Sequence, residues 1–274
     1  MSGLAVRAGA AVRSPQGRAP GDRPAALDYY RDLLTPFGEK LDEELLNRGA
    51  HVYHRDLADL LVADEGVGRS RPELLIVTHA LPDVVPFTAV APHLTDRLGG
   101  GAANFAIAQQ GLAAPFTALR IASAYHRAGR AAEVVLAVLE QTTLPTPFPL
   151  AAELIDSAAA LVLGASGEAD ADAGLRFVRA YSAGSAADAI GEGALGSDLG
   201  DDGTLLVLGP WVTEDLPERS AVHRVAPGSY CTSLWLALAD HWQEWSETYR
   251  RVVLCDTDPR SGRSHVALFA RGEG

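Results

Sequence analysis

Residues 104–141 read NFAIAQQGLAAPFTALRIASAYHRAGRAAEVVLAVLEQ, and the rest of the chain is arranged about them. Phe105-Ala-Ile-Ala108 has the composition of a short buried strand. Gly111 permits a tight turn with backbone angles that other residues resist. From Ala113 to Gly129 the apolar residues Phe116, Leu119, Ala122 and Tyr125 recur every three residues, which predicts a buried helix. Glu133 to Leu139 then forms a second strand, too apolar to face water on either side. A strand, a sharp turn and a buried helix hold one side chain at a helix N-terminus. There free N–H groups and the helix dipole favour an anion such as a thiolate. The residue in that place is Leu112, which has no nucleophilic chemistry.

The 274 residues allow one large domain or two fused halves. With 47% hydrophobic residues, a sizeable core is expected and wholesale disorder is not. The net charge of −12 argues against nucleic acid and anionic membranes as partners. Cys231 and Cys255 are the only cysteines, too few for a disulfide scaffold, so a reducing cytoplasm is the expected setting. The N-terminus has scattered arginines without an apolar signal core, and no apolar run is long enough to span a membrane.

Gly3–Val12 reads as a first strand, Ser14–Arg23 as a loop, and Ala25–Leu61 as mostly helical. Asp64–Arg71 reads as a polar turn. Glu73–Thr78 is a buried strand, Thr88–Leu98 a helix, and Gly99-Gly100-Gly101 its stop. After a Pro-rich loop at Thr142–Pro149, further strands are expected at Ser157–Leu163, Leu175–Tyr181, Thr204–Leu208, Arg251–Cys255 and His265–Phe269. A helix is expected at Ser233–Trp245, and the rest of Gly167–Gly203 reads as loosely packed loop. Strands alternating with helices give an α/β fold.

Taken together, Pro72–Gln141 resembles the nucleophile region of the β-ketoacyl-acyl carrier protein synthase III family, within the thiolase superfamily. Leu74-Leu-Ile-Val-Thr-His-Ala-Leu-Pro-Asp83 is similar to the family's strand and Thr/Ser-x-Pro-Asp turn. Thr88–Gly99 is similar to the helix and Leu-Gly that follow. Phe105-Ala-Ile-Ala-Gln-Gln-Gly-Leu112 resembles Phe-x-Ile-x-Gln-Gly-Cys, and Asp156–Gly164 resembles the Asp-Gly-Ala-Gly-Ala strand. The resemblance covers roughly residues 72–164, weakens before it and degrades after 170. It implies a thiolase-like fold of two similar βαβαββ halves in five layers, with the second half shortened. The halves would be residues 1–168 and 169–274. It also implies a dimer built across the strand beside the nucleophile turn, and an acyl-enzyme on Cys with His and Asn as oxyanion donors.

The chain departs from the family at all three positions. Leu112 stands at the nucleophile position. The approximate His and Asn positions fall at Gly209, in Gly209-Pro210-Trp211, and at Ser229, in Pro227–Ser233. Gln110, His79 and Cys231 are the fallback candidates for chemistry, and His223 and His265 are possible relocated bases. Each has an ordinary alternative. Leu112 suits a core; small buried cysteines are common; lone histidines are more often structural. His51 and His54 lack the further ligands that zinc requires. Asp170, Asp172, Asp198, Asp201 and Asp202 lie in acidic loops without the spacing of a calcium loop. Gly99–Gly101 lacks the Lys-Ser/Thr of a phosphate loop. No metal and no cofactor are expected.

The resemblance, with its losses, implies a catalytically degenerate ketosynthase III-like subunit. Its expected partner is an active homologue in a heterodimer, or itself in a homodimer, in bacterial polyketide, fatty-acid-like or other secondary metabolism. Acyl-CoA or an acyl-carrier protein would be engaged through the partner. The alternatives are a Cys-independent acyl-thioester enzyme (acyltransferase, hydrolase or decarboxylase) and a non-enzymatic acyl-binding homodimer.

Overall fold

The structure is a computed structural model that describes residues 3–19, 24–150, 154–165, 174–194, 203–214, 216 and 221–271. Ten strands form one hydrogen-bonded array in the order β3-β2-β4-β5-β1-β6-β10-β9-β7-β8. The N-terminal strands are β1 (Leu4–Arg13), β2 (Leu74–His79), β3 (Ala103–Ile107), β4 (Glu133–Glu140) and β5 (Ser157–Ala165). The C-terminal strands are β6 (Leu175–Ala183), β7 (Thr204–Leu208), β8 (Ala221–Arg224), β9 (Arg251–Thr257) and β10 (Ser264–Arg271). Read from its outer edge, each set of five has the same order and the same senses. Two strands run parallel to a third, which pairs antiparallel with the fourth, and the fourth pairs antiparallel with the fifth. β1 and β6 even share a register break, at Arg7 and at Val178. A single residue pair, Ala5 with Arg176, joins the two sets.

Side-chain alternation along the strands builds the layers. On β4, Val134, Leu136 and Val138 face the central core, while Val135, Ala137 and Leu139 join an outer one. On β7, Leu205 and Val207 face inward, while Leu206 and Leu208 face outward. The central core is filled by two helices, α6 (Ala114–Arg127) and α8 (Ser233–Thr248). They meet through Phe116 and Trp235, ring centroids 5.1 Å apart and edge to face. The N-terminal outer layer is built from α3 (His54–Ala63) and α5 (Val90–Arg97), with α1 (Pro24–Leu34), α2 (Glu43–Arg48) and α4 (Glu65–Gly68) around them. The C-terminal outer layer is much thinner. It rests on α7 (Ala186–Asp188) and the π-helical turn Ala189–Ala194 that continues it. The shortening of the second half therefore falls on its outer face. Residues 14–73 join β1 to β2, against 184–203 between β6 and β7. The inner helices keep their length because both sheets bury against them.

Four readings are corrected. The strand at Phe105 is not buried. β3 is the sheet edge, with Ala103 and Ala106 exposed and Phe105 half-buried. Asp64–Arg71 contains the short helix α4, because the Asp64 side chain accepts from the amides of Gly66 and Val67 and nucleates a turn. Residues 185–194 pack as helix over the sheet through Ala186, Ala189 and Ile190. β8 had no sequence signal, since as an edge strand it is exposed at Ala221, Val222 and Arg224. The expected boundary at 168/169 and the acidic positions Asp170, Asp172, Asp198, Asp201 and Asp202 lie outside the described residues.

Candidate functional site

The turn before α6 is strained in the way its sequence demands. Gln109 and Gly111 have φ of +62° and +53°. A Cβ on Gly111 would sit 2.7 Å from both Asp258 Oδ2 and Tyr230 Oη, so glycine is required by space as well as by angle. Leu112 follows in the 3-10 turn Gly111–Ala113, only 2% exposed and part of the central core.

Three other segments converge on this turn. In the turn before α8, Tyr230 is buried and its hydroxyl donates to Asp258 Oδ1 at 3.1 Å. The amides of Tyr230 and Cys231 donate to the two oxygens of Glu140, each at 2.6 Å. After β7, the Trp211 indole N–H donates to the Tyr230 carbonyl at 3.2 Å. From the end of β9, Asp256 Oδ1 accepts from the amides of Trp211 and Thr257 at 3.1 and 2.9 Å. At Gly209, an added Cβ would fall 2.0 Å from Asp256 Oδ2. Tyr230, Asp258 and Asp256 thus occupy the ground that side chains at 111 and 209 would need.

The carboxylates here are deeply buried, and burial dominates their titration. It pushes Glu140 up to about 7 against the pull of the Cys231 and Tyr230 amides. It pushes Asp256 up to about 8, with the Thr257 and Trp211 amides opposing. Burial, reinforced by Glu140, also raises the Cys231 thiol well above its usual range. Cys231 is therefore a protonated core thiol rather than a thiolate nucleophile.

The remaining candidates are dispersed. Ser229 is buried, with its hydroxyl 2.6 Å from that of Ser233. Gln110 Oε1 accepts from the Thr117 hydroxyl at 2.8 Å on an exposed surface. His265 Nδ1 lies 2.7 Å from the Ser182 hydroxyl, and its ring packs against Phe116. His223 packs tilted against His241 and edge-on against Trp245. His79 sits apart from the turn, beside His54. Among the described residues, no group of three or more His, Cys, Asp or Glu is placed to hold a metal, and no helix is long and apolar enough to cross a membrane. Sequence reasoning passed over Glu140, Asp256, Asp258 and Tyr230. For Glu140 and Asp256 the signal was a carboxylate closing an apolar run, VVLAVLE and VVLCD, where open α/β sheets present side chains to a site; Tyr230 and Asp258 had no such signal.

These shifts set the alkaline limb of stability. Glu140 rises from 4.5 and Asp256 from 3.8, so the native state holds protons that the unfolded chain has released. Their contribution is full below pH ~4 and is lost as pH climbs through about 7 and 8. His54 and His79, lowered by burial from 6.5, act in the opposite sense, and only as pH falls below that value. Unfolding free energy from urea titration is expected to drop by about 1–2 kcal/mol between pH ~6.5 and ~8. Asp256→Asn should flatten that slope; an unchanged slope in this variant would remove Asp256 as its source.

No protein-family model and no curated protein sequence matches the chain. Solved structures match along its whole length. 3-Oxoacyl-(acyl carrier protein) synthase III, FabH, from Pseudomonas aeruginosa PAO1 superposes with a TM-score of 0.63 at 17% identity, covering 99% of each chain. Cerulenin-bound OleA from Xanthomonas campestris gives 0.62 at 15%, covering 98% of each. FabH from Xanthomonas oryzae pv. oryzae gives 0.62 at 14%, again over 98% of each. The architecture is the thiolase-like α/β fold of these proteins. At such identities the likeness is one of fold.

Proposed function

We propose that this chain is a non-catalytic ketosynthase III-like subunit that pairs with an active homologue and shapes or stabilises that partner's acyl site. The observation that carries this reading is the filled turn: Leu112 is buried where the family has its nucleophile, and Tyr230, Asp256 and Asp258 pack against Gly111 and Gly209. The free edge of β3 supports a partner, because an unpaired strand edge is a template for another chain. Tyr29, Leu33, Phe37 and Phe87 add large exposed apolar side chains in the same half of the molecule. Acyl-CoA or an acyl-carrier protein would then be engaged through the partner. The net charge of −12 disfavours direct docking of an acidic carrier here.

The test is co-expression with the nearest intact synthase homologue, followed by mass analysis of the purified assembly. A stable one-to-one complex whose acyl transfer disappears when this chain is withheld is the expected result. A homodimer that ignores the homologue would refute the reading. A companion expectation concerns Leu112→Cys. It should form no acyl adduct by intact mass after incubation with acetyl-CoA, because the position lacks a base and oxyanion donors. The lost core contacts should cost about 1–3 kcal/mol in urea melts. Rapid acylation would show that the site had kept its chemistry.

One observation favours a second reading, a Cys-independent acyl-thioester enzyme. Glu140 and Asp256 are carboxylates held near 7 and 8 at the ends of β4 and β9, in the range suited to general acid–base work. Thioester hydrolysis by the isolated chain, abolished in Asp256→Asn, would support it over the partner role.

A further inference from the structure

Between α1, α5 and the edge strand β3 lies a cavity of about 380 Å³, separate from the filled turn. Its walls include Tyr29 and Tyr30 from α1 and Phe105 from β3, with His54, His79 and Asp83 among its polar groups. Among the described residues, neither Lys nor Arg lines it. Tyr29 and Tyr30 meet edge to face at 5.7 Å, and Phe87 packs edge-on against Tyr29 at 5.4 Å. Tyr30 is turned to the backbone, its hydroxyl donating to the carbonyls of Asp83 and Val84.

The polar groups are held in place and left incomplete. Asp83 Oδ1 accepts from the amides of His54 and Val84 at 3.2 and 2.8 Å. The Val85 amide also bears on this carboxylate, while its buried Oδ2 makes no hydrogen bond of normal geometry among the described residues. The same is true of His54 Nε2 on a ring that is 1% exposed. His79 Nδ1 lies 2.9 Å from the Leu81 carbonyl, which places the proton on Nδ1 and leaves Nε2 as an acceptor. The two imidazoles stand 4.8 Å apart. A buried polar atom without a partner is unusual in a settled core and calls for an occupant.

We propose that this cavity binds a small organic ammonium ion with an apolar or aromatic body. Its N–H groups meet Asp83 and an imidazole nitrogen, and its body rests on Tyr29, Tyr30 and Phe105. A carboxylate with no cation beside it, walled by aromatic faces, is the arrangement that recognises amines. Among the described residues an anion would meet no Lys or Arg here, only two histidines whose charged form burial disfavours, and would face Asp83, with Asp56 adding negative charge nearby. Burial acts in the same direction, holding both histidines neutral and lifting Asp83 to about 6, a sign that it lacks a counter-charge. The volume suits a single small ligand. The cavity shares Tyr29, Leu33 and the β3 edge with the surface offered to a partner, so its test is made on the chain without that partner.

The probe is 2-phenylethylamine at neutral pH, followed by calorimetric titration and ligand-observed NMR on the full chain. Its neutral and anionic counterparts are 2-phenylethanol and phenylacetate. The amine is expected to bind saturably at about 1 mM or below. The alcohol should bind at least about tenfold more weakly, and the carboxylate not at all. Asp83→Asn keeps the Oδ1 acceptor for the two amides and should weaken the amine by about tenfold or more. Ala89→Trp, at an exposed position on the cavity wall, should block binding with circular dichroism and melting unchanged. If Asp83→Asn does not fold, Ala89→Trp decides. Equal binding of alcohol and amine, or amine binding that survives in folded Asp83→Asn or in Ala89→Trp, would overturn the proposal. So would the absence of saturable binding.

Discussion

Glu140→Ala is expected to destabilise the chain by about 3–5 kcal/mol. Glu140 is fully buried, and each of its oxygens accepts one backbone amide at 2.6 Å. Those amides belong to Tyr230 and Cys231, in the turn that leads into α8. Truncation removes two short hydrogen bonds and leaves two N–H groups in a site that water does not reach. The penalty is the desolvation of those donors and not only the worth of the bonds. Against a typical domain stability of about 5–15 kcal/mol, such a loss removes a large share. Glu140→Gln keeps one acceptor and should cost less, about 1–3 kcal/mol. Urea unfolding of both variants separates the two effects. A loss below about 1 kcal/mol in Glu140→Ala would mean that the turn before α8 does not depend on this clamp.

The second large effect is expected at Gly209, where introducing a histidine, the residue that the resemblance implies at about this position, should prevent stable folding. A Cβ there would lie 2.0 Å from Asp256 Oδ2 and 2.1 Å from its Cγ. A flexible side chain would swing away, but Asp256 is 2% exposed and its other oxygen is held by the amides of Trp211 and Thr257. Even Gly209→Ala should therefore cost about 2–3 kcal/mol, in the range of overpacked cores. Asp256→Gly in the same chain removes the obstacle. The double variant should recover more than about 1 kcal/mol relative to the sum of the single changes. Additive losses would show that the glycine is kept for another reason. A measured coupling would establish that the glycine at 209 and the buried Asp256 carboxylate depend on each other.

Much of the architecture is legible in residues 73–164 without coordinates. The runs at Leu74–Thr78, Val134–Leu139 and Ala158–Leu163 are apolar on both faces, and only a sheet covered on both sides accepts such strands. The helical spacing of apolar residues from Phe116 to Tyr125 likewise fixes α6, the helix between the sheets. Edges carry no such pattern. β8 is exposed at three of its four residues, and β3 has only Ile107 buried, so neither shows a periodicity that separates strand from loop.

The absence of a nucleophile at Leu112 is a property of the sequence alone, because side-chain identity at a turn of that type needs no packing to interpret. What surrounds Leu112 is decided only by the tertiary structure. Tyr230 and Asp258 are distant from Gly111 in the chain, as Asp256 is from Gly209, and several turns must close before they meet. The pairing of His54 with His79 and Asp83 depends in the same way on α3 starting against the end of β2. Periodic burial is a local signal, repeated along each element and read by counting. A site is a single juxtaposition of non-local residues, and its charges acquire their properties from burial that only the closed fold imposes.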